Sequence, residues 1–284
     1  MKTVLVTGAN GQLGQCIQKI QNQHLGIHFH FKTSSELDIT DEKAVHNYFS
    51  NHAIEYCVNC AAYTNVELAE SETDKAYLVN SESVKHLAEA CAKHNTTLIH
   101  ISTDYVFDGT KTEPYLETDK TNPISVYGAS KLQGEQHIQE VAQKYFIIRT
   151  SWLYAEFGKN FYKTIVQKAK EKADLTITTE QKGTPTNAND LAELILKIIN
   201  TENTDYGIYH FSNEGEATWY DFTKEIIENL KLASAEKPTL QAVASYKTKA
   251  ARPKNSVLDK TKVRNIIQTI SWQESLRNLM QNHS

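Results

Sequence analysis

The first half of the chain alternates short apolar segments with longer amphipathic ones. Short apolar runs are typical of strands buried in a parallel sheet, and the longer segments repeat apolar residues at helical spacing. Strands and helices are predicted in turn in KTVLVTG, GQLGQCIQKIQNQ, GIHFHF, DEKAVHNYFSNH, EYCVNCAAY, DKAYLVNSESVKHLAEACAKHN, TTLIHIST, SVYGASKLQGEQHIQEVAQ and KYFIIRTSWLY. This order predicts right-handed βαβ units and a doubly wound parallel sheet of the α/β class.

The pattern becomes less regular after about residue 155. Helices are predicted at 159–172, 189–200, 218–231 and 271–281, with short apolar segments between them. We therefore predict a dinucleotide-binding domain over 1–155, to which some later segments return. Residues 156–284 are predicted to form mainly a smaller α/β substrate-binding domain over the C-terminal edge of the sheet, with a cleft between the two.

Composition narrows the possible partners. The 284 residues carry a net charge of −4 with acids and bases interspersed, which indicates no nucleic-acid partner. No apolar run reaches the roughly 20 residues that span a bilayer, so no membrane association is predicted. The N-terminus enters an apolar strand and a glycine loop within ten residues, which leaves no room for a signal peptide. We therefore expect a cytoplasmic protein.

Cys57 and Cys60 form a CxxC pair, which is also found in redox and zinc sites. The pair lies in an apolar segment predicted as a strand, where residues three apart point to opposite faces. A second ligand pair at zinc spacing is missing from the sequence. We therefore predict reduced, buried cysteines and no metal site.

Gly8, Gly11 and Gly14 directly follow the first predicted strand and open the first helix. Glycines at such positions allow a tight turn, close approach of the backbone to a pyrophosphate and close packing of helix on sheet. The helix N-terminus adds unpaired N–H groups for the phosphates. The context predicts a dinucleotide site of the Rossmann type.

The end of the second strand bears on cofactor choice. NAD sites usually place an acid there, whereas this chain has Lys32, which suits a 2′-phosphate. NADPH is therefore favoured, with NADH possible and a solvated Lys32 as the alternative. Asp38 either caps the following helix or hydrogen-bonds the adenine amino group, with Ile39 against the ring.

Four residues have side chains suited to carbonyl reduction. Thr103 and Asp104 follow the fourth strand, where sites of open parallel sheets lie. Tyr127 and Lys131 are four apart on one helix face. A nearby ammonium is expected to lower the pKa of the phenol toward neutrality, and Thr103 can hydrogen-bond the carbonyl oxygen.

The chain resembles the extended short-chain dehydrogenase/reductases in four motifs taken together, GxxGxxG, NCAAYT, STDYVFDG and YxxxK. More narrowly, these segments with RTSWLY, GTPT, TWYDF and ARPKNSVLD are similar to the dTDP-4-dehydrorhamnose reductases, which reduce the 4-keto group of a sugar nucleotide. The resemblance implies Tyr127 as proton donor and Lys131 as its partner and ribose ligand. It implies cofactor contacts by Gly11, Gln12, Leu13, Asp38, Ile39, Ala61, Ala62 and Thr64, and substrate contacts by Val66, Thr103, Asp104, Trp152, Arg252 and Asn255.

Several alternatives stay open at this stage. Trp152 could belong to the core, Arg252 could form an ordinary surface ion pair, and TWYDF is interpreted as a structural helix start. Another sugar-nucleotide epimerase, dehydratase or reductase could use the same scaffold, as could a non-catalytic nucleotide-binding regulatory subunit. Some members of the family dimerise through magnesium held by glutamates, for which this chain has Cys16 and Asn189. A monomer is therefore expected.

Overall fold

The computed structural model of the protein describes residues 1–233, 237–245 and 247–282. Its strands are β1 (Lys2–Thr7), β2 (Ile27–Lys32), β3 (Tyr56–Asn59), β4 (Thr97–Thr103), β5 (Tyr145–Thr150), β6 (Leu153–Tyr154), β7 (Leu175–Thr178), β8 (Lys182–Gly183), β9 (Thr186–Asn187), β10 (Gly207–His210), β11 (Ala217–Thr218) and β12 (Leu240–Val243). Six of them form one parallel sheet in the order β10-β5-β4-β3-β1-β2. The predicted doubly wound parallel sheet is confirmed.

The helices are α1 (Gln12–Ile20), α2 (Glu42–Asn51), α3 (Val66–Ala69), α4 (Thr73–Tyr77), α5 (Ser83–Lys93), α6 (Val126–Val141), α7 (Phe161–Lys170), α8 (Ala188–Asn200), α9 (Trp219–Asn229) and α10 (Trp272–Asn282). The four helices predicted in the second half correspond to α7 to α10. The prediction of a single long α-helix before β4 is wrong in one respect. The helix is interrupted by a π-helical segment, Leu78–Glu82, which joins α4 to α5. There the carbonyl of Asn80 lies against Gly134 of α6, where an added Cβ would lie only 2.2 Å from it.

The two faces of the sheet carry separate apolar cores. Val4 and Val6 of β1 face a core shared with α1 and α8, whereas Leu5 faces a core shared with α2, α5 and α6. The alternation follows from the two-residue period of a strand, and both faces are apolar because helices cover both. Burial on both faces fixes the carboxyl ends of the strands at one edge.

The later part of the chain divides between two places. Helices α7, α9 and α10 form a third apolar core with Trp272, beside the small parallel pair of β7 and β12. Helix α8 packs in the first core, and β10 extends the main sheet beside β5. The boundary predicted at residue 155 stays a prediction. None of the described helices is long and apolar enough to span a bilayer.

Candidate active site

One cavity, of about 620 Å³, opens at the carboxyl edge of the sheet. It is lined by the loop after β1, the ends of β3, β4 and β5, the start of α6 and residues of the C-terminal region. Most predicted site residues line it, namely Gly11, Gln12, Leu13, Ala61, Ala62, Thr64, Val66, Thr103, Asp104, Tyr127, Lys131, Trp152 and Arg252. The fold thus brings residues from distant parts of the sequence to one site.

The glycine loop has the shape that a dinucleotide pyrophosphate requires. Gly8 has a φ of +64°, and an added Cβ would lie 2.6 Å from the backbone nitrogen of Ala61. An added Cβ at Gly14 would lie 2.7 Å from the Cα of Ala9, so this glycine permits α1 to pack closely on the loop. Gly11 precedes the first residue of α1, where backbone N–H groups have no partner within the helix. These features fit a bound pyrophosphate.

Three residues are predicted to contact the adenosine part of the cofactor. Among the residues that the structure describes, the cavity lining does not include these three, Lys32, Asp38 and Ile39. Lys32 ends β2, with its Nζ 5.6 Å from the centre of the Tyr48 ring. Asp38 accepts hydrogen bonds from the backbone and the hydroxyl of Thr40, and Asp41 caps α2 instead. The capping alternative for Asp38 is therefore wrong. Ile39 is buried in the core, and its contact with adenine stays a prediction.

Arg252 lines the cavity and also forms an ion pair. Its Nη2 lies 2.7 Å from Oε1 of Glu67, a partner that sequence reasoning missed. Asn255 is absent from the cavity lining of the described chain, and its amide donates to the backbone carbonyls of Lys111 and Thr112. These hydrogen bonds stabilise the loop, and the substrate contact of Asn255 stays a prediction.

Tyr127 is the second residue of α6, and its position depends on small neighbours. The Ser125 side chain caps the helix by accepting a hydrogen bond from the Gly128 backbone. An added Cβ at Gly128 would lie 2.2 Å from the carbonyl oxygen of Tyr105, so only glycine allows the helix to approach the segment after β4. The rings of Tyr105 and Tyr127 pack edge to face at 5.6 Å.

Lys131, one turn further along α6, is buried. Its Nζ donates to the carbonyl oxygen of Ile101 at 2.7 Å and lies 3.1 Å from Nε2 of His100. Burial lowers the pKa of Lys131 to about 8, against the opposing effect of Glu135. Lys131 can therefore change its charge near neutral pH.

The prediction for the phenol is wrong in direction. Burial raises the pKa of Tyr127 to about 12, the hydroxyl of Thr103 opposes the shift, and the carboxylate of Asp104 adds to it. The two polar neighbours of Lys131 Nζ, the carbonyl oxygen of Ile101 and Nε2 of His100, lie on β4 rather than on the phenol. Tyr127 consequently stays protonated at neutral pH, as an acid must.

Asp104 is a buried carboxyl group in the cavity wall. Burial raises the pKa of Asp104 to about 6, although the hydroxyls of Ser256 and Thr103 oppose the shift. Thr103 donates to Oδ1 at 3.0 Å, whereas Oδ2 has no partner of full hydrogen-bond geometry within the described part of the chain. Asp104 thus has an oxygen available to a ligand hydroxyl.

A buried ion pair lies behind the site and was missed in the sequence. Arg149 of β5 donates to both carboxylate oxygens of Glu135, with Nη2 2.7 Å from Oε2. The same carboxylate accepts a hydrogen bond from Ser102 at 2.5 Å. Glu135 follows Lys131 by four residues, which places both on one face of α6 and is the signal that could have found it.

Trp152 forms part of the cavity wall with a second tryptophan. Its ring stacks on Trp219 at 3.7 Å, and its backbone has a φ of +48°, which is unusual for a bulky residue. An added Cβ at Gly183 would lie 2.7 Å from the Trp152 ring. TWYDF begins helix α9, with Thr218 as its N-cap, which confirms the interpretation as a helix start, and Trp219 also lines the cavity.

Side chains that can ligate metals also occur outside the cavity. Cys57 is buried in β3, and all four cysteines are free thiols. Glu42, His46 and Glu89 place one ligand atom each within 4.8 Å of one another at the surface. Such exposed groups are common without an ion, and the predicted lack of a metal site stays a prediction.

Comparisons with known proteins identify the family. The family described as "RmlD substrate binding domain" matches residues 1–284. A dTDP-4-dehydrorhamnose reductase of Aggregatibacter actinomycetemcomitans is 40% identical over 299 aligned residues, with 98% of each chain covered. The spore coat polysaccharide biosynthesis protein SpsK of Bacillus subtilis is 37% identical, with 100% of this chain and 99% of the relative covered.

A solved structure agrees with these relatives. The crystal structure of dTDP-4-dehydrorhamnose reductase from Bacillus anthracis in complex with NADP superposes with a TM-score of 0.94 and 38% identity, covering 99% of this chain and 100% of that one. Sequence similarity and fold similarity both extend over the whole site. The chain therefore belongs to the dTDP-4-dehydrorhamnose reductase family.

Proposed function

We propose that this protein reduces the 4-keto group of dTDP-4-dehydro-6-deoxy-L-mannose to give dTDP-L-rhamnose, with NADPH as the favoured cofactor and Tyr127 as the proton donor. The observation that carries the proposal is the convergence of Thr103, Tyr127 and Lys131 on a cavity that begins at the glycine loop. The names of the relatives and the NADP complex of the B. anthracis neighbour support it.

The cofactor is proposed to lie along the glycine loop. Gly11, Gln12 and Leu13 would contact its pyrophosphate, and Ala61, Ala62 and Thr64 line the adjoining part of the cavity. Bound there, NADPH would supply the hydride. Lys32 would pair with the 2′-phosphate. Glu36 accepts hydrogen bonds from Thr33 just after β2, and this nearby acid is consistent with some use of NADH.

The proton is proposed to come from Tyr127. An alkoxide is a stronger base than a phenolate, so a phenol with a pKa of about 12 still donates readily to it. The hydroxyl of Thr103 would turn its hydrogen from Oδ1 of Asp104 to the carbonyl oxygen of the substrate, and the ammonium of Lys131 would stabilise the phenolate that forms. Each residue thereby acts on charge that develops during the reaction.

The sugar nucleotide is proposed to occupy the outer part of the cavity. Val66, Trp152 and Trp219 offer apolar surface for a deoxysugar or a base. Arg252 has the bidentate geometry that suits a diphosphate, and Oδ2 of Asp104 can accept a hydrogen bond from a sugar hydroxyl. Together these groups can bind both the polar and the apolar parts of such a substrate.

Consumption of NADPH with this keto-sugar nucleotide tests the reaction. Tyr127→Phe should lower kcat by roughly 10²- to 10⁴-fold, because the alkoxide loses its acid, while the Kd for NADPH stays nearly unchanged. Tyr105→Phe is the matched control, since this neighbouring tyrosine also lines the cavity, and it should retain activity. Normal turnover by Tyr127→Phe would show that another group gives the proton.

The same assay separates the alternatives. An epimerase would return the hydride and leave the amount of NADPH constant, whereas a regulatory subunit would bind nucleotide without turnover. Either result would contradict the proposed reaction.

A Lys32→Asp variant tests the choice of cofactor, when its KM values for NADPH and NADH are compared with those of the wild type. An undiminished preference for NADPH in this variant would remove the proposed role of Lys32.

We further propose that the protein is a monomer. Cys16 is buried in the core shared by α1 and α8, and Asn189 donates to Glu156 at 2.9 Å. Neither residue offers the carboxylate that a magnesium-bridged dimer uses. Gel filtration with and without EDTA should give the same monomeric elution volume, and a dimer that EDTA dissociates would contradict the proposal.

A further inference from the structure

Beneath Lys131, three buried polar side chains form a chain across the sheet. Thr7, Asn59 and His100 come from β1, β3 and β4, and each is at most 1% exposed. The Thr7 hydroxyl lies 2.7 Å from Oδ1 of Asn59, and Nδ2 of Asn59 lies 3.1 Å from Nδ1 of His100. Nε2 of His100 then lies 3.1 Å from Nζ of Lys131. The chain therefore ends at the proposed catalytic lysine.

The direction of these hydrogen bonds is set at Asn59. Its Oδ1 accepts from the Thr7 hydroxyl and from the backbone N–H of Ala61, the latter at 3.2 Å. A backbone N–H can only donate, so the amide oxygen, and not the amide nitrogen, must face Ala61. The amide nitrogen of Asn59 consequently donates to Nδ1 of His100.

This direction decides the tautomer of His100. Burial, and then the charge of Lys131, lower the pKa of His100 far below its ordinary value, so the ring is neutral. A neutral imidazole has one donor and one acceptor. With Nδ1 accepting, Nε2 must carry the hydrogen and point it at Nζ of Lys131. A neutral amine can accept that hydrogen bond, whereas an ammonium cannot.

We propose that Asn59 and His100 are positioning residues that keep the proton affinity of Lys131 low through the fixed direction of this hydrogen-bond chain. When Lys131 is an ammonium, two donors face each other unless His100 changes tautomer and Asn59 turns over, which would lose the bond from Ala61. The chain therefore lowers the pH at which Lys131 loses its proton, and below that pH Lys131 is the ammonium that the proposed reaction uses. Only the catalytic consequence rests on the proposed function.

Other titratable groups around Lys131 do not explain this arrangement. Tyr127 and Glu135 lie on its own helix, and the carboxylate of Glu135 favours the ammonium but is paired with Arg149 of β5. The remaining ionisable groups that line the cavity are Cys60, Asp104, Tyr105, Lys159 and Arg252, together with Tyr154. Among the described residues, His100 provides the side-chain atom within hydrogen-bond distance of Nζ.

Titration of Lys131 itself tests the proposal. Protein with ¹³C-labelled lysine is followed by NMR over pH, and the Lys131 signal is identified by its loss in Lys131→Met. Asn59→Asp should raise the titration midpoint by more than one pH unit, because a carboxylate accepts from His100 Nδ1–H and turns Nε2 into an acceptor. Asn59→Leu frees the tautomer without adding charge and should raise the midpoint by less. An unchanged or lowered midpoint in both variants would overturn the proposal.

A control variant separates the effect of the hydrogen-bond direction from the effect of an added negative charge. Asn80 is also buried and donates to Ser130 of α6 at 3.1 Å, so Asn80→Asp adds a carboxylate near the helix without touching His100. Its effect should be smaller than that of Asn59→Asp, and an equal effect would overturn the proposal. The NMR result stands whether or not the protein turns over the keto sugar. If it does, the basic limb of the kcat/KM profile should move by the same amount in each variant.

Discussion

Two arginine–glutamate ion pairs have the same length, one in the interior and one that includes Arg252 of the cavity lining. In both, an arginine Nη2 lies 2.7 Å from a carboxylate oxygen. The side chains of Arg149 and Glu135 are 3% and 0% exposed, whereas those of Arg252 and Glu67 are 26% and 38% exposed. Equal distances therefore occur in very different surroundings.

The difference in burial gives the two pairs different roles. Breaking a buried pair leaves an unpaired charge in the interior, which costs far more than separating a solvated pair. The Arg149–Glu135 pair thus belongs to the folded framework behind Lys131. The Arg252–Glu67 pair can separate at little cost, as the proposed contact of Arg252 with a diphosphate requires. Burial, rather than distance, distinguishes framework from binding surface.

Breaking the buried pair should have the largest effect. Glu135→Gln leaves the Arg149 guanidinium without its carboxylate and should lower the free energy of unfolding by about 3–5 kcal/mol, measured by urea denaturation. The double variant Glu135→Leu, Arg149→Leu removes both charges and should recover much of the loss. A loss below about 1 kcal/mol in Glu135→Gln would show that the two pairs are equivalent.

The second largest effect is expected from the buried carboxyl group of Asp104, which should make the free energy of unfolding depend on pH. Its pKa is raised from 3.8 to about 6, so the folded chain holds this proton over a range in which the unfolded chain has released it. The associated stability is present below pH 3.8 and is lost as pH rises to about 6, a change of ~3 kcal/mol. Asp104→Asn should abolish that part of the pH dependence. The difference in free energy of unfolding between variant and wild type, measured from pH 3.5 to pH 7 or so, decides the matter; a constant difference would contradict the prediction.

Removing the half-buried Arg252 should affect binding more than folding. Arg252→Ala is expected to raise the KM for the sugar nucleotide by about 10-fold with little change in kcat, because a charged hydrogen bond is lost equally from ground state and transition state. Arg264→Ala is the control, since Arg264 also pairs with a glutamate, Glu214, and does not line the cavity as the described residues define it. A fall in kcat with unchanged KM would place Arg252 in the chemical step instead.

The smallest effect is expected for a substitution of Glu67, the ion-pair partner of Arg252. Glu67→Gln should change the free energy of unfolding by less than about 1 kcal/mol, as is usual for a solvated pair. The KM for the sugar nucleotide should stay the same or fall, because the carboxylate no longer competes for Arg252. An increase in KM of the size seen in Arg252→Ala would indicate that the pair acts as a unit.

Local geometry explains which parts of the site could be predicted from the sequence. The loop at Gly8 and the pair of Tyr127 and Lys131 each lie within one turn or one helix face, so spacing alone places them. The partnership of Arg252 with Glu67 joins residues 185 apart, and that of Asn59 with His100 depends on strand register. Such contacts follow from tertiary packing, which no local pattern encodes. The raised pKa of Tyr127 is likewise a result of burial.

The strand β10 closes one edge of the main sheet with residues 207–210, long after the chain has left that sheet to build the helices around the outer cavity wall. Synthesis from the N-terminus therefore cannot complete the sheet until most of the chain has been made, and the contacts that complete it are of high sequence separation. A fragment that stops after β5 would expose the edge of that strand to other chains. A fragment of residues 1–150 is consequently expected to aggregate when produced alone, because its folding is coupled to that of the later part of the chain.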